Sequence, residues 1–138
     1  MQKFNGLKIL ITGGAGFIGG AVIRRLLKSG NSFIFNLDKL GYASDIYEIN
    51  RISSDSNLCN RYKFLKVDLK DIEEVKKAIK ISDPDLIIHL AAESHVDRSI
   101  DSPSEFILSN VLGTLNLLEA SKKHWSKLSN KRKAKFKF

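Results

Sequence analysis

Four short apolar runs, at residues 7–11, 33–37, 62–67 and 86–90, alternate with stretches whose apolar residues recur at helical spacing. At least two of the runs are almost continuously apolar, as a parallel strand covered on both faces requires. Between the first two, Ile18, Ala21, Val22 and Leu26 share one helical face, and Gly30 is placed to end that helix in a left-handed cap. Before the fourth run, Asp71 and Glu74 form a capping pair, Ile72, Val75 and Ile79 form an apolar stripe, and Glu73 is spaced to reach Lys77. The last helix has the strongest start signals: Ser102 as N-cap, Pro103 at the first helical position and Glu105 at the third. Its buried face is expected at Leu108, Val111, Leu112, Leu115 and Leu118. Strand alternating with helix at this spacing predicts right-handed crossovers and an α/β fold built on a doubly wound parallel sheet, with strand order 3-2-1-4. Residues 41–61 are polar and irregular, with room for one short helix.

A chain of 138 residues with 43% hydrophobic content fits one domain, residues 1–138, with a buried core. The net charge of +8 suggests nucleic acid until it is located. Residues 1–121 carry 15 basic and 15 acidic side chains, and the excess is eight Lys or Arg in a basic tail at 122–138. A nucleic-acid domain would spread that charge over a face with base-reading side chains among it, so no nucleic-acid partner is expected and the tail reads as a solvated helix end. Cys59 has no partner for a disulfide and no metal-ligand spacing around it. No stretch approaches membrane-spanning length, and the glycines interrupt what could imitate a leader, so a cytoplasmic protein without a membrane partner is expected.

The run "ITGGAGFIGG" follows the first strand and opens the first helix, and it holds both GxxGxxG (Gly13, Gly16, Gly19) and GxGxxG spacing. Missing side chains there let backbone approach a pyrophosphate, while the helix N-terminus faces its charge. Asp38 ends the second strand 19 residues after Gly19. A carboxylate at that distance accepts hydrogen bonds from adenosine ribose hydroxyls and repels a 2′-phosphate, so NAD is favoured over NADP, although Lys39 is adjacent. A nucleoside-triphosphate P-loop is excluded, because Gly20-Ala21 stands where Lys-Ser or Lys-Thr is needed. These features specify the fold as Rossmann-like.

After the fourth strand comes "HLAAESHVDRSI", residues 89–100. In an open parallel sheet the carboxyl end of this strand lies beside that of the first, where ligands bind. The order puts small Ala91 and Ala92 against a dinucleotide and places Glu93, Ser94, His95, Asp97 and Arg98 around its nicotinamide side. His89, His95 and Asp97 match no common metal spacing, and Ser94-His95-Asp97 lacks the strand-turn-helix setting of a nucleophile.

Together "ITGGAGFIGG", "NLDKLGYAS", "KVDL", "HLAAESHVDRSID" and "SNVLGT" resemble the extended short-chain dehydrogenase/reductase family, and within it the dTDP-glucose 4,6-dehydratases. The resemblance implies an NAD-dependent lyase of nucleotide-sugar biosynthesis that converts dTDP-glucose to dTDP-4-keto-6-deoxyglucose and water. It implies that Gly13, Gly16, Phe17, Ile18 and Gly19 meet the pyrophosphate and that Asp38, Lys39, Leu40 and Gly41 surround the adenosine ribose. Asp68 and Leu69 would flank the adenine, and Leu90, Ala91, Ala92, Glu93 and Ser94 the nicotinamide half, with Ser94 also touching the sugar nucleotide. Ser109 would fill a cofactor position where threonine is usual, and Arg98 would hold the loop or the nucleotide diphosphate, or pair with Asp97 or Asp101.

The same resemblance implies a catalytic Tyr-x-x-x-Lys and a Thr-Asp-Glu run after a fifth strand, and a C-terminal substrate domain beyond. No Thr-Asp-Glu occurs, and "KAKFKF" reads as the start of that fifth strand. Tyr62 to Lys66 matches Tyr-x-x-x-Lys but falls on the third strand, where residues four apart are about 13 Å from one another. No catalytic residue is therefore assigned in this chain, which is expected to be inactive by itself and to leave the fourth strand with an exposed edge. A related sugar-nucleotide epimerase, a non-catalytic NAD-binding chain and a decayed gene product are the alternatives. The resemblance also implies a homodimer through the helix at 104–123, a stripe equally explained by packing on the sheet.

Overall fold

The computed structural model describes residues 4–138, apart from the side chains of Val96, Arg98 and Ser99. Four strands, β1 (Lys8–Thr12), β2 (Phe33–Asp38), β3 (Tyr62–Lys66) and β4 (Leu86–His89), pair in parallel in the order β3-β2-β1-β4. Each lies on an apolar run of the sequence. The register places Ile9 beside Ile34 and Leu86, and Thr12 beside Leu37 and His89, so the carboxyl ends of β1 and β4 are level. Lys137 continues the sheet past β4, bridging to Leu86 in parallel and accepting a hydrogen bond from the Ile87 amide at 3.0 Å. The final residues thus begin to pair in the direction of a fifth strand.

Alternation along β1 divides the core in two. Ile9 and Ile11 pack with Ile23 and Leu27 of helix α1 (Phe17–Ser29) and with Ile52 of α2 (Ile46–Ser54) on one face. Leu10 joins Val75 and Ile79 of α3 (Ile72–Ser82), Leu37, Ile87, Leu117 and Ala120 on the other. Ile9, Leu10 and Ile11 are wholly buried, so the central strand is covered on both sides, as its unbroken apolar run demands.

The helix ends depart from several sequence expectations. Gly30 is in extended backbone, φ −166°, and not a left-handed cap. The carbonyls at the end of α1 are instead taken by Arg61, whose guanidinium donates to Gly30 O at 2.7 Å and to Leu27 O at 3.0 Å. Asp71 does cap α3, accepting from the amides of Glu73 and Glu74, but Glu74 pairs with Lys77 and Glu73 with Lys76. Residues 96–127 form α4 (Val96–Asp101), α5 (Pro103–Phe106), a π turn (Ile107–Leu112) and α6 (Gly113–Lys127). Ser102 caps α5 without a side-chain hydrogen bond.

The apolar stripe on that segment faces outward. Val111 is 58% exposed and Leu115 50%, and Leu108, Leu112 and Leu118 are also exposed. The face of α6 toward the core holds Gly113, Asn116, Leu117, Ala120 and Ser121, mostly small groups. The basic end is not wholly solvated either. Arg132, on α7 (Asn130–Lys133), donates to Asp83 and Asp85 at 2.8–3.1 Å, and Lys133 lies 5.3 Å from the Trp125 ring centre. Removing the Arg61 cap leaves carbonyl groups of α1 without their charged donor. Arg61→Met should lower the unfolding free energy by about 2 kcal/mol in urea titration, with an unchanged m-value.

Candidate dinucleotide-binding site

The site begins where β1 ends. Gly13 has φ +70°, and a Cβ there would come within 2.6 Å of the Ala91 amide nitrogen. The chain following β4 therefore packs directly on the turn following β1. A Cβ on Gly19 would overlap the Gly13 carbonyl, so α1 also seats against the turn only because it starts with glycine. Gly16 differs. Its φ is −82°, its added Cβ would meet only the Gly13 carbonyl, at 3.3 Å, and it lines the large cavity. The tightest backbone packing thus falls on Gly13 and Gly19, and Gly16 is held less closely. Gly16 caps α1 with no side chain and no acid follows in the first turn, so the positive helix end is not neutralised locally.

Asp38 closes the turn from the side of β2. Its Oδ2 accepts from the Ala15 amide at 3.0 Å and its Oδ1 from the Leu40 amide at 2.8 Å, with Ser44 Oγ at 3.5 Å. A carboxylate offers about four acceptor positions, so the two amides orient it and leave lone pairs for a neighbouring diol. Leu40 takes a left-handed conformation, φ 62°, to bring its amide back to Asp38.

On the other side a polar chain fixes the loop after β4. Thr12 Oγ1 accepts from the Leu90 and Ala91 amides, each at 3.2 Å, and donates to His89 Nδ1 at 2.6 Å. His89 Nε2 donates to Thr114 Oγ1 at 2.9 Å, and Thr114 donates to the Asn110 carbonyl at 2.6 Å. Asn110 then pairs with the Glu93 backbone twice, accepting from its amide at 2.8 Å and donating to its carbonyl at 2.9 Å. The directions along this chain require a neutral His89 protonated on Nε2. Burial pushes its pKa below the usual histidine value, in keeping with that state. Asn110 sits in the π turn, a local widening of the helix of the kind frequent at functional sites.

These two sides enclose a cavity of about 880 Å³. Gly13, Gly16, Phe17, Ile18, Gly19, Asp38, Lys39, Gly41, Asp68, Leu69, Leu90, Ala91, Ala92, Glu93, Ser94 and Ser109 all line it. Of the described residues expected at the site, Leu40 and Asp97 are outside the lining, and Leu40 contributes its amide to Asp38 instead. The side chain of Arg98 lies outside the described residues. Sequence reasoning gave no role to Asn110 and Thr114, although both stand in the run at 109–114, nor to Tyr42, which meets His95 edge-on at 5.0 Å and lines the cavity with it. Lys39 Nζ reaches Glu93 Oε1 at 2.6 Å and Ser109 Oγ at 3.3 Å, another tie between the two sides. Tyr62 lies on β3 outside this lining; its hydroxyl accepts from Asn36 Nδ2 at 2.8 Å, and burial pushes the phenol up, away from a base. Among the described residues no group of His, Cys, Asp and Glu could hold a metal, and no helix is long and apolar enough to cross a membrane.

Residues 10–138 match the profile of the family described as GDP-mannose 4,6 dehydratase. The chain belongs to that family. The dTDP-glucose 4,6-dehydratase of Salmonella typhimurium is 46% identical over 96% of this chain and 36% of its own length. That of Neisseria gonorrhoeae is 41% identical over the whole chain and 39% of its own length. The chain thus spans a little over a third of the length of these relatives. Among solved structures, DesIV, a dTDP-glucose 4,6-dehydratase from Streptomyces venezuelae with NAD and TYD bound, aligns with TM-score 0.73 and 36% identity over 84% of this chain and 36% of that one. A Thermus thermophilus UDP-glucose 4-epimerase in complex with NAD aligns with TM-score 0.70 and 32% identity over 84% of this chain and 34% of that one.

The buried neutral histidine has a consequence for pH. A folded pKa below the unfolded value of 6.5 means that the unfolded chain binds the extra proton first. The contribution to stability is therefore complete above about pH 6.5 and lost as the pH falls below it. Melting temperature should drop as the pH is lowered through and below about 6.5, and His89→Gln should lower it at neutral pH while flattening most of that slope.

Proposed function

We propose that residues 1–138 are the NAD-binding domain of a dTDP-glucose 4,6-dehydratase, with the substrate domain lying in the two thirds of the relatives' length that this chain does not span. The observation that carries this reading is the pairing of a cavity-facing Gly16 at a helix N-terminus with Asp38, held by two amides and still open to a diol. Phe17, Ile18 and Gly19 would follow the pyrophosphate, and Lys39 and Gly41 the adenosine ribose, with Leu40 shaping the turn. Asp68 and Leu69 would flank the adenine. Leu90, Ala91, Ala92, Glu93 and Ser109 would bound the nicotinamide half, and Ser94 would meet both cofactor and sugar nucleotide. NAD held there would supply reversible hydride transfer. The residues of this chain bind and orient it, and the Thr12–His89–Thr114–Asn110 chain keeps the loop at Glu93 in place.

Proton transfer to and from the sugar needs groups this sequence does not contain, since its one Tyr-x-x-x-Lys lies along β3. The partner that best fits the exposed stripe of Ile107, Val111, Leu115 and Leu118 is a second copy of the chain, because an apolar helix face pairs readily with itself about a two-fold axis.

Calorimetric titration tests the cofactor reading. NAD should bind the chain, and Gly16→Ala, which presses on the Gly13 carbonyl far less than a Cβ at Gly13 or Gly19 would press on its neighbours, should weaken binding about tenfold while preserving a cooperative melt. Failure of NAD to bind the folded chain would sink the proposal. Incubation with NAD and dTDP-glucose should give no 4-keto-6-deoxy product. Light scattering should give twice the monomer mass, falling to the monomer mass for Leu115→Lys; a wild-type monomer would remove the dimer.

A further inference from the structure

Lys39 is the only lysine or arginine among the described residues lining the cavity, against five acids: Asp38, Asp68, Glu93, Asp101 and Glu105. A pocket with that balance suits a ligand whose anionic charge is met by backbone amides and a helix end, and it opposes further phosphate groups elsewhere. Lys39 follows Asp38 directly in the chain and, among the described residues lining the cavity, is the one cationic side chain available to neutralise a phosphate on a ribose facing Asp38. Its ammonium is otherwise engaged: Glu93 Oε1 accepts from it at 2.6 Å and Ser109 Oγ lies at 3.3 Å. Glu93 is set for this by its own backbone, which Asn110 grips at both amide and carbonyl, so its side chain projects from a fixed point. Both members of the pair are partly exposed, 33% for Lys39 and 25% for Glu93, so the attraction is screened and is set by geometry more than by burial.

We infer that Glu93 is a specificity-determining residue: by holding Lys39 it leaves the 2′ position of the adenosine ribose facing Asp38 without a cation, and so disfavours a 2′-phosphate. The inference rests on the reading that this cavity binds a dinucleotide. It adds that the preference between the unphosphorylated and the 2′-phosphorylated cofactor is set from the loop after β4, on the far side of β1 from Asp38. Without the Glu93 carboxylate, Lys39 is free to swing back toward the ribose beside its neighbour, where a phosphate dianion would find a charged donor.

The test is calorimetric titration of the full chain with NAD and with NADP, for wild type, Glu93→Gln, Lys39→Met and the double variant. Glu93→Gln keeps the backbone that Asn110 holds and should shift the affinity ratio about fivefold toward NADP. Adding Lys39→Met should cancel that shift, because the gain requires the freed ammonium. An unchanged ratio in Glu93→Gln, or a shift that survives in the double variant, overturns this inference and leaves the cofactor reading standing. Wild-type protein that binds neither dinucleotide overturns both. Should Glu93→Gln fail to fold, Glu93→Asp withdraws the carboxylate by one carbon from the same backbone position and is expected to shift the ratio in the same direction.

Discussion

The close approach of Gly13 to Ala91 is the constraint on which the site depends. Two parallel strands end level with one another, and the chain leaving each must turn away in the same small volume. With a side chain at Gly13 the Ala91 backbone would have to retreat, and the loop carrying residues 90–94 would leave the cavity. Because glycine lets the two backbones touch, one hydroxyl, that of Thr12, can reach both amides after β4 as well as the His89 ring. The polar chain through Thr114 and Asn110 then carries that fixed geometry into the helix beyond. Position at the site is therefore set by backbone contact first and by hydrogen bonds second.

What could be read from the sequence follows the same order. The strands were legible because both faces of a parallel sheet are covered, which leaves an apolar run with little ambiguity. The glycines and Asp38 were legible because each performs a task that few other residues can. The outward stripe at Val111 and Leu115 was misread because an apolar helical face specifies that something covers it, not which surface does. Small residues, Gly113, Ala120 and Ser121, turned out to mark the side packed on the protein. Gly30 was misassigned for a related reason. The end of α1 is satisfied by Arg61, a residue 31 positions away, and no local pattern announces a distant donor. Asn110 and the Lys39–Glu93 pair were hidden in the same way, since each has its meaning in a partner brought near only by the fold.

The cavity also separates two electrostatic duties. In the proposed site, neutralisation of ligand charge would fall to amide groups and the helix α1 terminus, which are fixed and do not titrate. The charged side chains lining the cavity are mainly carboxylates, suited to orient hydroxyl groups and to repel surplus phosphate. Under the proposed reading, this division would let the turn meet a pyrophosphate with no lysine or arginine among the described lining residues near the glycines.

The cluster at the start of β4 has a different reach. Lys8 donates through its side chain to Asp83 and through its amide to Asp85, and Arg132 clasps both carboxylates from the other end of the chain. Hydrogen bonds from Lys8 and Arg132 outweigh the effect of burial and hold the Asp83 carboxyl below the usual range. Contacts so distant in sequence close large loops, whose entropy must be lost before the contacts form. During synthesis the edge of the sheet at β4 remains an open, acid-lined seam until residue 132 has emerged. Assembly of this cluster therefore waits on residue 132, long after Lys8 and both aspartates have been made.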